Sequence, residues 1–313
     1  MGQQTKQEKN NHICIALLAH VDAGKTTLSE SLLYACGALR KVGRVDHKDS
    51  FLDTDTLERE RGITIFSKQA RLSMQGREVT LLDTPGQVDF SAEMERTLLK
   101  KYQIPTILFI NKMDQPLADH DKILQQLQQT FSSECIDFGA ERDMAFWESI
   151  AVAQEDSLEY FLEHGDLPQE EIARLVSCRS VFPCFFGSAL KQEGITELIE
   201  GIASYIETPR YPSAFGARVY KITRDQQGNR LTHMKITGGQ LHVRDLLSSA
   251  NWSKEEKVNQ IRLYNGEKYD TTEQVTAGEI CCVTGLSESF AGEGLGIENY
   301  EIAPVLSPVL NYC

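Results

Sequence analysis

Apolar residues fall along this chain in two textures. Through the first two-thirds, short apolar runs alternate with stretches in which apolar positions recur every three or four residues. Ile13 to Ala19, Val79 to Leu82, Thr106 to Ile110 and Phe182 to Phe186 are the runs, and their shortness and continuity predict strands buried on both faces. Leu28, Leu32 and Ala35 predict a helix that Gly37 can end, and Ile123, Leu124, Leu127 and Phe131 predict one packed on the core. Ser91 to Leu99 reads as another. Ile195, Leu198, Ile199, Ile202 and Ile206 make an amphipathic helix ending at Thr208-Pro209. Strands alternating with helices predict an α/β domain with a mostly parallel sheet, its ligands held past the C-terminal strand ends.

The texture changes at Phe215. Ala217 to Thr223, Leu231 to Thr237, Val258 to Tyr264 and Glu279 to Thr284 are rich in β-branched and aromatic residues, and Gly-containing turns punctuate them. This predicts a small β-barrel domain over 215–310. Residues 207–212 read as the linker, 13–208 as the first domain, and 1–12, all polar, as a disordered N-terminus. The stretch 115–181 is longer than a minimal domain of this class needs. Beyond its first helix, its acidic remainder is expected to be a solvated insertion.

Composition narrows the classes. The 313 residues are 41% hydrophobic and 25% charged, which suits two ordinary globular domains. With 45 acidic against 32 basic residues the formal charge is −13, which argues against coating naked DNA by counterion release. Eight scattered cysteines without C-x-x-C spacing predict reduced thiols. The longest apolar run near the start is too short to span a bilayer, so a cytoplasmic protein that avoids membranes is expected. The histidines show no metal-ligand spacing. Trp147 and Trp252 are expected in or beside the core.

Chemistry sits at the strand ends. Ala19-His20-Val21-Asp22-Ala23-Gly24-Lys25-Thr26 lies between a strand and a helix. There backbone N–H groups and the helix N-terminus can wrap phosphates, Lys25 can reach the β- and γ-phosphates, and the Thr26 hydroxyl can bind Mg²⁺. Asp83-Thr84-Pro85-Gly86 ends the next apolar strand, placing a carboxylate for the metal and the Gly86 N–H for a γ-phosphate. Arg61-Gly62-Ile63-Thr64 lies between the two, where Thr64 can complete the Mg²⁺ shell when a γ-phosphate is present. Asn111-Lys112-Met113-Asp114 follows a further strand: Asp114 can accept from guanine N1–H and its exocyclic amine, and Lys112 can pack along the base. Ser188-Ala189-Leu190 ends the last strand, where a backbone N–H can meet the guanine oxygen. The set predicts a guanine nucleotide switch using GTP, GDP and Mg²⁺.

These motifs, with Thr27, the stretch Asp53 to Thr64 and Val88-Asp89-Phe90 after Gly86-Gln87, resemble a translational GTPase. The likeness is to elongation factor G and the tetracycline-resistance ribosomal-protection proteins. Arg218 to Ile222 and Gly239 to Asp245 resemble their barrel domain, and Ser29 to Tyr34 with Gly43 to Asp46 leans toward the ribosomal-protection branch. The resemblance implies a P-loop GTPase domain followed by a small β-barrel, acting on ribosomal RNA and proteins and monomeric off the ribosome. It implies a charge-stabilising role for Asp22 and an apolar gate of Val21 and Ile63. The gate flanks the residue after DTPG, which is His in the family and Gln87 here. Lys25, Thr64, Gly86 and Gln87 are the implied catalytic set. Phosphoryl transfer rests on positioning and electrostatics, so Gln87 can orient water, while a ribosome trigger built around His is put in question.

Two further departures stand out. Only 28 positions separate Asp83 from Asn111, shorter than the family spacing by about the size of a βαβ crossover. The expectation is that the sequence omits a buried strand and its covering helix near Leu98 to Lys101. Losing them would cost about 2–5 kcal/mol per large apolar residue, against a typical stability of about 5–15 kcal/mol. The chain also ends at Cys313, just past the barrel, so a two-domain fragment of a translocase or of a protection protein is expected. Alternatives are a nucleotide-gated ribosome ligand with little hydrolysis, and a poorly folded remnant.

Overall fold

The computed structural model describes residues 11–41, 68–84 and 99–298. Ile63, Thr64, Pro85, Gly86 and Gln87, all but the last residue of the helix expected from Ser91 to Leu99, residues 42–67, the N-terminal ten residues and residues 299–313 lie outside them.

The first domain runs β1 (His12–Leu17), α1 (Lys25–Ala35), β2 (Lys68–Met74), β3 (Arg77–Asp83), β4 (Leu108–Ile110), α2 (His120–Thr130), β5 (Cys135–Asp137), α3 (Met144–Ala151), α4 (Glu155–His164), α5 (Gln169–Ser177), β6 (Phe182–Phe186) and α6 (Ile195–Tyr205). The apolar runs therefore become strands at the expected places. β1 lies parallel to β3, with Ile13 opposite Val79 and Leu17 opposite Asp83. β3 is closed antiparallel by β2 through Gln75-Gly76, both at positive φ, the conformation that a two-residue hairpin turn requires.

The sheet is divided. The described strands form one sheet of order β1-β3-β2 and another of order β4-β6-β5, the latter wholly parallel. One core spans both: Ile13, Leu32, Leu33, Val79 and Leu81 share it with Phe185, Ile195, Leu198 and Ile202. Helix α6 sits close to β6, because a Cβ on Gly201 would fall 2.2 Å from the Phe185 ring.

The stretch 115–181 departs from its expected role. Rather than a solvated insertion, it supplies β5 to the second sheet and buries Phe146, Ile150, Phe161, Ile172, Leu175 and Val176 in the main core. Its apolar residues are spaced among so many acids that the segment reads as polar, yet one face of each of α3, α4 and α5 is buried. Asp143 caps α3 by accepting from the Phe146 N–H at 2.9 Å. Helix α2 packs Leu124 and Leu127 against Phe182 and Cys184 on the opposite face of the second sheet.

The second domain contains β7 (Gly216–Arg224), β8 (Arg230–Gly238), β9 (Gln240–His242), β10 (Leu246–Leu247), β11 (Glu256–Lys257), β12 (Gln260–Asn265), β13 (Lys268–Thr272), β14 (Gln274–Thr276), β15 (Ile280–Thr284) and β16 (Gly294–Gly296). A six-stranded antiparallel sheet in the order β13-β12-β15-β8-β7-β16 curls with the pairs β9–β14 and β10–β11 around Val219, Met234, Ile236, Leu241, Ile261 and Val283. Trp252 is buried, its indole N–H donating to Glu293 at 3.1 Å. Cys281 and Cys282 are both buried, where desolvation raises their thiol pKa values, that of Cys282 to about 12.

The domains meet through the β2 edge. The Gly266 N–H donates to the Gln69 carbonyl at 2.8 Å and the Arg71 N–H to the Asn265 side chain at 3.2 Å. The turn of the β12–β13 hairpin thereby covers an edge that would otherwise be open. Beside it His12, 5% exposed, bridges Gly278 of the barrel and Thr80 of β3.

Candidate functional site

The described tips of β1, β3, β4 and β6 come together. After β1 the chain turns through Asp22 at φ 61° and enters α1 from Gly24 at φ 88°. No side chain caps α1 and its first turn holds no acid, so the positive end of the helix dipole faces the loop without an acidic side chain of that turn beside it. The loop folds on its own lysine: Lys25 Nζ donates to the carbonyls of Ala19 at 2.6 Å and His20 at 2.9 Å. The His20 ring lies 3.1 Å from the Val21 carbonyl, and the Ala23 N–H donates back to the His20 carbonyl.

Asn111 ties this loop to the second sheet. Its amide donates to the Ala23 carbonyl at 3.0 Å, and its oxygen accepts from the Lys112 N–H at 2.8 Å and the Ala189 N–H at 2.9 Å. Gly24 makes room for it, since a Cβ there would stand 2.4 Å from Asn111 Nδ2. Lys112, at φ 65°, reaches across to the Asp22 carbonyl at 2.6 Å. The Met113 N–H donates to the Gly187 carbonyl and the Gly187 N–H to that of Ile110, lacing β4 to β6.

Asp114 projects from the same turn. A hydrogen bond from the Ser188 hydroxyl, helped by the Lys191 ammonium 3.8 Å away, holds its carboxyl below the usual range. It is thus an acceptor throughout the neutral range, as two guanine N–H donors need. Ser188 also caps the 3₁₀ turn of Ala189–Lys191, while Leu190 faces solvent.

Thr26 and Asp83, at the start of α1 and the end of β3, are 8% and 1% exposed. Thr84 turns the chain away by donating to the Leu17 carbonyl at 2.6 Å. A hydroxyl and a carboxylate are hard oxygen donors suited to Mg²⁺, which keeps waters and takes phosphate oxygens as ligands. Among the described residues no three His, Cys, Asp or Glu side chains gather into a metal cage. Thr27 follows Thr26 in α1.

Two contributors carry no motif signal. The Ser31 hydroxyl, fully buried on α1, donates to the Ala189 carbonyl at 2.7 Å, and Gln192 donates to Ser31 at 2.6 Å. Ser31 sits on the face shared by Leu28 and Leu32, an unusual place for a hydroxyl. That was the available signal.

Comparison with known proteins agrees with this geometry. The family model "Elongation factor Tu GTP binding domain" matches residues 10–100 and again 97–208, and "Elongation factor G domain 2" matches 214–296. Tetracycline resistance protein TetM from transposon Tn916 of Enterococcus faecalis is 33% identical over 333 residues, covering 92% of this chain and 49% of that protein. Tetracycline resistance protein TetP of Clostridium perfringens is 32% identical over 341 residues, covering 93% and 52%. The chain thus spans about half the length of the curated relatives it matches. A crystal structure of the Thermus thermophilus protein ttk003000868 superposes with a TM-score of 0.78 at 21% identity, over 91% of this chain and 54% of that one. This last likeness establishes the shared fold.

Proposed function

The chain belongs to the family defined by the elongation factor Tu GTP-binding domain, and from that premise we propose that it binds GTP and GDP with Mg²⁺ and hydrolyses GTP on the ribosome. The observation that carries this reading is the bridge from Asn111 to Ala23 and Ala189. It ties the Asn111 turn to the loop before α1, which supports reading the two as parts of one nucleotide site. Ala19 to Thr27 would hold the phosphates, with Lys25 stabilising the charge that develops on them. Thr26 and Asp83, joined by Thr64, would hold Mg²⁺, and the ion would neutralise charge on the β- and γ-phosphates. Asp114 would select guanine, with Lys112 and Met113 along the base and the Ser188-Ala189-Leu190 turn at its oxygen. Val21 and Ile63 would gate Gln87, and Gln87 with the Gly86 N–H would orient the attacking water.

The relatives are tetracycline resistance proteins, which favours a ribosomal-protection role for the parent protein over translocation. Partners would be ribosomal RNA and ribosomal proteins in the cytoplasm, with a monomer off the ribosome. Among the described residues no helix is long and apolar enough to cross a membrane. Gln87 favours a second reading, a nucleotide-gated ribosome ligand that scarcely turns over. Single-turnover hydrolysis with and without ribosomes separates the two. Hydrolysis stimulated by ribosomes in the unaltered chain supports the first reading. Stimulation appearing only in Gln87→His supports the second, and no guanine nucleotide binding at all defeats both.

A further inference from the structure

Helix α1 begins with Lys25 and Thr26 and carries Ser31 further along the same axis. At a rise of about 1.5 Å per residue, Lys25 and Ser31 stand about 9 Å apart on one rigid element. Ser31 is fully buried, and Leu28 and Leu32 beside it belong to the main core. A hydroxyl in such surroundings is costly unless it is hydrogen-bonded. Helical serines commonly bond a carbonyl one turn before them. The Ser31 hydroxyl donates to the Ala189 carbonyl at 2.7 Å, across 158 positions of sequence.

Gln192 braces that hydroxyl. Its amide donates to Ser31 Oγ at 2.6 Å and to the Ala189 carbonyl at 3.2 Å, so Ser31 donates and accepts at once and its single proton has a fixed direction. The reach is made from a backbone at φ 63°, where L residues are rare and glycine is at ease. Ala189 is thereby held on both sides, its N–H by Asn111 at 2.9 Å and its carbonyl by Ser31 and Gln192. Ser188 and Glu193 close the same turn, exchanging backbone hydrogen bonds at 3.0 and 3.1 Å. Asn111 leads from this turn to the loop before α1 through Ala23, and Ser31 leads from it to the body of α1.

We infer that Ser31 is a positioning residue for base selection: braced by Gln192, it fixes the Ala189 turn to helix α1 and so sets the preference for an oxygen where that turn meets the purine ring. The inference rests on the nucleotide reading proposed above and adds to it two residues that act through Ala189. A backbone donor reads an acceptor by distance and angle. Sulfur in place of the base oxygen lengthens the bond that such a donor makes, so a turn held rigidly favours oxygen and a loosened turn accommodates both.

The test titrates the full chain with GDP, 6-thioguanosine diphosphate and IDP, each in competition with fluorescent GDP. The thio analogue replaces the base oxygen with sulfur. IDP keeps the oxygen and lacks the exocyclic amine assigned to Asp114. Ser31→Ala should lower the preference for GDP over the thio analogue at least about threefold, with the preference over IDP held within about twofold. Gln192→Gly removes the brace while easing the left-handed backbone. It should lower the first preference at least about twofold, with a thermal midpoint within about 2 °C of the parent chain. Equal weakening of all three nucleotides, with both preferences kept, would make the pair packing residues only and overturns the inference. A fall of both preferences in step overturns the assignment to the base oxygen. Should Ser31→Ala fail to fold, Gln192→Gly decides alone. A parent chain that binds no GDP defeats the nucleotide reading and this inference with it, whereas GDP binding with unmoved preferences in the variants defeats the inference alone.

Discussion

The side chain of Asn111 touches Ala23 through its amide at 3.0 Å while its oxygen receives the Ala189 N–H at 2.9 Å. One residue thereby joins two sheets that share no ladder among the described residues. Asn111→Ala removes both bridging bonds, together with the one from the Lys112 N–H, and leaves the two bridged backbone groups without their side-chain partner. At about 1 kcal/mol for each, the apparent affinity for GDP should fall by roughly 30-fold or more. Equilibrium titration with fluorescent GDP measures it, and affinity within threefold of the parent chain would remove Asn111 from its bridging role.

Gly24 is constrained twice, by φ of 88° and by the 2.4 Å approach that a Cβ would make to Asn111. Gly24→Ala should therefore weaken GDP at least about tenfold, since left-handed backbone costs an alanine about 1–2 kcal/mol before any clash is counted. Gly37→Ala provides the comparison. Gly37 also has positive φ, 74°, but nothing lies within 4 Å of its Cβ position, so it should lower the thermal midpoint while leaving affinity nearly unchanged.

The phosphate loop, the Asn111 turn and the Ser188 turn were legible because each couples a short apolar run to polar residues of fixed chemistry. The barrel was legible from its turns. The course of 115–181 was not: Phe146, Phe161 and Ile172 are diluted by Glu and Asp, and only packing shows that they share a core with Leu32 and Val79. Ser31 and Gln192 were hidden because local sequence does not record which helix face meets a distant turn. The 28-residue spacing from Asp83 to Asn111 leads to the expectation of a missing strand, and residues 85–98, on which it bears, lie outside the described ones.

Asp114→Asn tests base selection. An amide presents one acceptor and one donor where guanine offers two donors, so GDP affinity should fall by at least about tenfold and the preference over adenine nucleotides should shrink. Competition titrations with GTP and ATP measure this. The Ser188 hydroxyl and Lys191 hold the Asp114 carboxyl below its ordinary value, so the preference should persist through mildly acidic solution and decline only as pH falls through that depressed pKa. Ser188→Ala should move the decline to higher pH.

His12 gives the interface between the domains its own pH dependence. The Gly278 carbonyl, 2.9 Å from Nδ1, can only accept, so Nδ1 carries the proton and Nε2 accepts from the Thr80 hydroxyl at 3.0 Å. Burial pushes the pKa of His12 below 6.5, opposed by Glu279 and the Gly278 carbonyl and aided by Arg71. A histidine whose folded pKa lies below its unfolded one stabilises the fold fully above the unfolded value, and that contribution is lost as pH falls through the folded value. His12→Gln keeps a donor but does not titrate. It should cost about 1–2 kcal/mol at pH 7.5, with the gap from the parent chain narrowing toward pH 5. His233, lowered by burial to about 4, destabilises both proteins equally in acid and cancels from the difference. Thermal midpoints of the two proteins across that range measure the effect, and a constant gap would show that His12 does not titrate on unfolding.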